Sequence, residues 1–462
     1  MPQQRPESYR GAWLLLVALP LGLVLPAAGR AADYDSWSKV ESAQETRDYG
    51  QQIRDGKFEP AQKAFIDDTL IPQLALEANR ASIANVRQRI RDVAVRGATK
   101  KEVVDQGNAA LRDGVLGLVA DKNAEPLVRV NAMLLIGELQ DFERAPWVGS
   151  LAPLVKAAGD GALPLEVRVA AVSGLERHLA AAAVGDPAAA TAAPVLATLV
   201  TSPPTGDAAA VRWLTARTLD LLPKVPAPPQ AVTAAAKILA DETADPDLRV
   251  RAAAAVGRLA KADSKIDAAA AMRQIESLAI AVITADLEAA KERRFARSMT
   301  SGQQTGGVSG ERGGLSPAPP APPAATSNLG GPGIFGGQFG GELEGATTPA
   351  VIDEDAVPAL ACRRDAWRLF TLAEAIKPAR GGSGLAGLLA GDAATAAADL
   401  EAILRQSALE LDKEPTEEKL VDALASIKKQ DAAGDQPGKS GQPAGAAEPG
   451  SPFGQPAGGS PF

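Results

Sequence analysis

Apolar residues recur along much of this chain at the i, i+3/i+4, i+7/i+8 spacing of helices with one buried stripe. From Glu125 to Leu139 it reads EPLVRVNAMLLIGEL. Arg129 is preceded by apolar Val128, followed three residues later by small Ala132 and seven later by apolar Ile136. The frame returns at Val167-Arg168 with Ala171 and Leu175, at Val211-Arg212 with Thr215 and Leu219, and at Leu248-Arg249 with Ala252 and Val256. The four arginines lie 39, 44 and 37 residues apart. That is close to the roughly 40–47-residue period of two-helix repeats. Each such unit has an apolar face it cannot cover alone, so stacked neighbours bury one another.

The pattern predicts helix pairs at 102–120 and 126–140, 146–158 and 164–181, 188–201 and 207–222, and 228–241 and 246–261. Prolines mark the starts and loops: Pro126, Pro146, Pro164, Pro187, Pro228 and Pro246. Asp245-Pro246 is an N-cap followed by a first-turn proline. Ahead of the repeats, 33–58 predicts a short helix packed by Trp37 and Tyr49. One or two longer helices follow over 59–96, with Pro72 a candidate kink. Thr99 and Glu102 form a capping-box pattern. Beyond the repeats, 266–298 predicts a long helix. Residues 299–349 are Gly, Pro, Ser, Thr and Gln with almost no apolar content, the composition of disorder. Helical periodicity resumes over 356–377, in a looser form of the frame around Arg364, then over 383–411 and 415–430. The domains expected are therefore an N-terminal helical region (33–101), repeats (102–298), an insertion (299–354) within a fifth repeat, closing helices (355–430) and a disordered tail (431–462).

Residues 1–31 change the picture of location. Arg5 and Arg10 precede the apolar run Trp13–Leu25, and small residues follow at 27–31. This reads as a signal peptide of an exported protein, periplasmic or secreted, either cleaved or kept as an anchor. After its removal no membrane span is expected.

The net charge is −8 over 462 residues, without the basic balance of a nucleic-acid binder. The exception is local: Arg80, Arg87, Arg89, Arg91, Arg96, Lys100 and Lys101 crowd one stretch, read either as a solvated face or as an anion-binding patch. One cysteine (Cys362) excludes an intrachain disulfide, and one histidine (His178) leaves no pair for a metal. His178 is read as a helix C-cap or a solvated residue. Acidic neighbours such as Asp67-Asp68 diverge on a helix. The glycines at 330–341 have no strand before them and no helix after, so they are no phosphate loop. No catalytic residue, metal ligand or cofactor is assigned.

The helices carrying VRVNAMLLIGEL and LRVRAAAAVGRL resemble HEAT repeats. The layout as a whole is similar to exported HEAT-repeat proteins of planctomycete-type bacteria. The resemblance implies an all-α fold, a right-handed α-α superhelix. It implies that the repeated arginines reach a neighbouring aspartate, with Asp207, Asp245 and Asp247 as candidates. It also implies a non-enzymatic scaffold that binds an unidentified protein partner; the chain is expected to be a monomer and, from its charge, to bind no nucleic acid. The alternatives are a lyase-like enzyme or accessory protein binding a small ligand, and an anionic-polymer binder using Arg80–Lys101.

Overall fold

A computed structural model of the chain describes residues 34–182, 186–260, 266–304, 357–378 and 384–434. The segment 1–31 read as a signal, most of the expected insertion and the expected tail beyond 434 lie outside the described residues. Among the described residues the fold is all-helical, with sixteen α-helices and no strand. They divide into two compact units. One runs to Leu214 and includes Lys224–Pro226; the other comprises Thr215–Pro223 and the chain from Ala227 onward.

The first unit opens with α1 (Trp37–Ser42) and α2 (Gln44–Arg54). Trp37 and Tyr49 are buried, and Tyr49 stacks on Phe65 and donates its hydroxyl to the Ala94 carbonyl at 2.7 Å. The long helices expected over 59–96 are broken into pieces. Helix α3 (Pro60–Phe65) passes into a π-helical turn at Ile66–Leu70, then into two 3₁₀ segments, Ile71–Leu74 and Glu77–Ser82, before α4 (Ile83–Val95). Pro72 is the cause: it has no N–H to continue the ladder, and the π turn just before it lets the Ile71 N–H reach the Ile66 carbonyl.

Helices α5 (Lys101–Ala120) and α6 (Pro126–Glu138) form a pair, as do α7 (Leu151–Gly159) and α8 (Leu165–Ala181). Helix α6 lies directly on α8, and α4 lies on α6. Helix α9 (Pro187–Thr201) follows, and α10 (Ala208–Leu221) spans the division between the units. The Thr99–Glu102 capping box is not formed. Lys100 is the N-cap of α5, and the Thr99 hydroxyl instead donates to the Arg54 carbonyl at 3.0 Å. The helix expected at 146–158 starts late, because Pro146 pairs with Gln140 in an isolated bridge and a 3₁₀ turn (Val148–Ser150) precedes α7.

In the second unit α11 (Pro229–Ala240) pairs with α12 (Pro246–Leu259). Asp245 caps α12, accepting from the Asp247 and Leu248 amides, and Pro246 occupies the first turn. Helix α13 (Ala268–Gln304) runs past the expected end at 298, so part of the presumed insertion is helical. It is the one described helix long and apolar enough to cross a membrane, yet Ile275, Leu278, Val282 and Ile283 are buried in the protein core. Helix α14 (Ala359–Ile376) packs on α12, α13 and α15 (Asp392–Lys413), and α16 (Glu417–Gly434) closes on α13 and α15. The two helices flanking the insertion are therefore in contact, joined by both oxygens of Asp286 accepting from Arg364 at 2.9 and 3.0 Å. The start expected at 383 falls instead at Asp392, after a 3₁₀ turn at Ala386–Leu388.

Candidate functional site

The repeated frame builds the scaffold of the site. Val128, Ala132, Ile136, Val167, Ala171, Leu175, Leu219, Ala252 and Val256 are buried, while Val211 and Leu248 are half-buried. Arg129, Arg168 and Arg249 bond main-chain carbonyls and not the aspartates that the resemblance implied. Arg129 Nε donates to the Val119 carbonyl at 3.0 Å, Arg168 Nε to Ala158 at 3.1 Å and Arg249 Nε to Leu239 at 3.0 Å. In each case the acceptor lies ten residues back, near the end of the preceding helix, where carbonyls lack intrahelical donors. Two residues after each acceptor stands an aspartate, Asp121, Asp160 or Asp241, whose Oδ1 accepts the amide of Asn123, Ala162 or Thr243 and turns the chain. At Arg212 the sequence differs: the residue is exposed, and Pro204 stands where the aspartate would be. Of the implied partners, Asp207 accepts from the Ala210 amide and Asp245 caps α12. Asp247 does bind an arginine, but Arg368 of α14, at 2.7 Å.

On α4, α6 and α8 the fold opens a cleft of about 500 Å³. Its floor is set by glycine. A Cβ built on Gly137 would lie 2.7 Å from the Gly174 Cα, so the backbones of α6 and α8 meet there. At its edge Arg87 grips Glu138 with both arms of the guanidinium, at 2.9 and 3.0 Å, and also donates to the Asn131 side-chain oxygen. Arg177 approaches the same carboxylate at 3.5 Å with its side chain 46% exposed. Arg91 bonds its neighbour Asp92. The wall thus carries Arg87, Arg91 and Arg177, with Glu138 its acidic lining residue and Asp92 paired to Arg91 beside it. The basic stretch is otherwise distributed: Arg80 pairs with Glu125, and Arg89 with Glu41 at 2.6 Å.

His178 is neither a cap nor solvated. It is buried, and its Nε2 lies 2.8 Å from the Ser150 hydroxyl, a pairing 28 residues apart in sequence. This has the form of a nucleophile and its base. The protons run the other way: the Ser150 hydroxyl donates to the Trp147 carbonyl at 2.7 Å, so its oxygen accepts from His178. Ser150 is fully buried. Burial lowers the His178 pKa, against a smaller opposing pull from Asp186.

The second unit holds a buried ionic cluster. Arg368, not Arg364, is the buried arginine of α14, and it bonds Asp247 and Asp365 at 2.7 Å each. Asp365 is fully buried, and burial first, then the Asp286 carboxylate, pushes it up to about 7. Cys362 in the same helix is buried, and burial with nearby carboxylates raises its thiol to about 11. That is the reverse of an activated cysteine.

No protein-family model, curated protein or solved structure matches this chain.

Proposed function

We propose that this chain is a non-enzymatic scaffold of the HEAT type, its helix pairs stacked as a right-handed superhelix, which holds a protein partner on the surface made by the second helices of its repeats. The reading rests on the cleft of α4, α6 and α8. It is open, polar at its wall, and built on helices whose backbones are fixed by the Gly137–Gly174 approach. The capped-arginine device supports the repeat assignment, since it recurs at Arg129, Arg168 and Arg249 with one spacing. The proton directions at Ser150 and the raised Cys362 thiol favour a binding role over nucleophilic catalysis. The export-signal reading of residues 1–31 supports a location in the cell envelope.

In-cell cross-linking with mass spectrometry on the envelope fraction tests this. The expected result is one reproducible partner joined to repeat lysines such as Lys156 and Lys237. Links confined to 305–356 and to the tail, or no reproducible partner, would overturn it.

A further inference from the structure

The cleft wall is positive in a chain that is net negative. Three guanidinium groups line it against two carboxylates, Glu138 in the wall and Asp92 beside Arg91, whereas the whole chain carries −8. Glu138 is held by Arg87 with the geometry of a bidentate fork, and both side chains are largely buried, 14% and 12% exposed. Arg87 is therefore committed. Arg177 is not: it is nearly half exposed, and its 3.5 Å contact with Glu138 is long for a charged pair. An exposed contact of this kind contributes little and is readily exchanged. Arg91, on α4, lines the same space; its pair with the neighbouring Asp92, whose side chain is 41% exposed, is a contact of the same exchangeable kind.

Alongside these cations the wall presents amides. Asn85, Gln88 and Gln140 are exposed there. Primary amides offer both donor and acceptor, which matches the alternating groups of a peptide backbone. No aromatic side chain lines the cleft, so nothing is placed to stack a nucleobase. Glu138 itself shows that a carboxylate sits well among these guanidinium groups.

We propose that the cleft binds an acidic peptide segment of a partner protein, its carboxylate held by Arg177 and Arg91 and its main chain by the amides of Asn85, Gln88 and Gln140. This rests on the scaffold reading and names the chemistry that its partner presents. Glu138 acts as the internal competitor: it occupies the arginines until the partner's carboxylate takes Arg177 from it.

The test uses the full-length chain and a fluorescent, end-blocked octaglutamate followed by anisotropy, with octalysine and an eight-nucleotide oligothymidylate as comparisons. Octaglutamate is expected to bind and octalysine not to. The double variant Arg91→Gln/Arg177→Gln is expected to weaken binding at least tenfold. Arg80→Gln, outside the cleft wall and paired with Glu125, is expected to leave it unchanged. Glu138→Gln removes the competitor and is expected to tighten binding several-fold, a gain that a misfolded variant cannot produce. Absence of octaglutamate binding, binding indifferent to the double variant, or tighter binding of oligothymidylate would each overturn the proposal. A cross-linked partner mapped to α4, α6 and α8 in a chain that ignores octaglutamate would leave the scaffold standing and remove acid recognition. Octaglutamate binding in a chain with no cellular partner would do the reverse.

Discussion

The Nε of Arg129 donates to the carbonyl of Val119, 3.0 Å away, and so a side chain at the start of one helix closes the end of the helix before it. Arg129 is only 9% exposed, and Arg249 in the same relation to Leu239 is 6% exposed. The bond ties the two helices of a pair across their turn. It also satisfies a carbonyl that the first helix leaves open, and hydrogen bonds to charged groups contribute about 1.5–3 kcal/mol. Arg129→Met keeps most of the aliphatic stem and loses the bond. It is expected to destabilise the protein by about 2 kcal/mol in urea unfolding, with Arg249→Met costing a similar amount. Arg258→Met, at an exposed position of α12, is expected to cost under about 0.5 kcal/mol, as is usual for surface changes. Equal costs at all three positions would refute the capping role.

Close helix approach makes a second prediction. A Cβ on Gly137 would press on Gly174, and one on Gly257 would collide with the Ala375 carbonyl of α14. Adding volume to a packed contact typically costs 1–3 kcal/mol. Gly137→Ala and Gly257→Ala are each expected to lower the thermal midpoint, whereas Gly117→Ala, with open space around it, should raise stability through its better helix propensity. A neutral Gly257→Ala would show that α12 and α14 are farther apart than described.

Helix positions were legible because proline in the first turn and the apolar period are properties of single short stretches. Pro126, Pro187 and Pro246 each start the helix they seemed to start. The arginine frame was equally visible, but its acceptor was not. A main-chain carbonyl has no residue type, and the trace it leaves is the aspartate eight residues before each arginine, present at Asp121, Asp160 and Asp241 and replaced by Pro204 ahead of Arg212. The His178–Ser150 bond and the Arg87–Glu138 fork join residues 28 and 51 apart, so they depend on how helices stack and not on any local pattern. The extension of α13 to Gln304 ran against composition: once a helix exists, adding a turn needs no new nucleus, and Ser and Gln suffice.

The Cys362 thiol should be silent in the folded protein. It is buried and its pKa is raised to about 11, so thiolate is scarce at neutral pH. Ellman's reagent at pH 8 is expected to titrate no thiol in the native chain and one after denaturation. Rapid labelling of the native chain would contradict the burial of α14.

The two units should respond to pH in opposite directions. His178, in the first unit, has its pKa held below 6.5 by burial. As pH falls through 6.5 the unfolded chain takes up a proton that the folded one refuses, so stability present at neutral pH is lost toward acid. Asp365, in the second unit, rises from 3.8 to about 7. Between about pH 4 and 7 the folded chain holds a proton that the unfolded chain has released, so this group's contribution is fully present below pH 4 and declines as pH rises to 7. At 1.36 kcal/mol per pKa unit the decline is on the order of a few kcal/mol. The groups facing Asp365 are Arg368 from its own helix and Asp286 from α13; Arg364 holds Asp286, Asp247 of α12 holds Arg368, and Arg368 limits the loss by bonding Asp365 at 2.7 Å. Hydrogen exchange with mass spectrometry, corrected for intrinsic rates, separates the units. Peptides of α14 are expected to be better protected at pH 5 than at pH 7.5, and peptides of α8 the reverse. Asp365→Asn keeps an acceptor for Arg368 and removes the titration, so it should flatten the α14 response alone. Protection of α14 that rises with pH would mean that Asp365 is ionised throughout, and that Arg368 outweighs burial and Asp286 together.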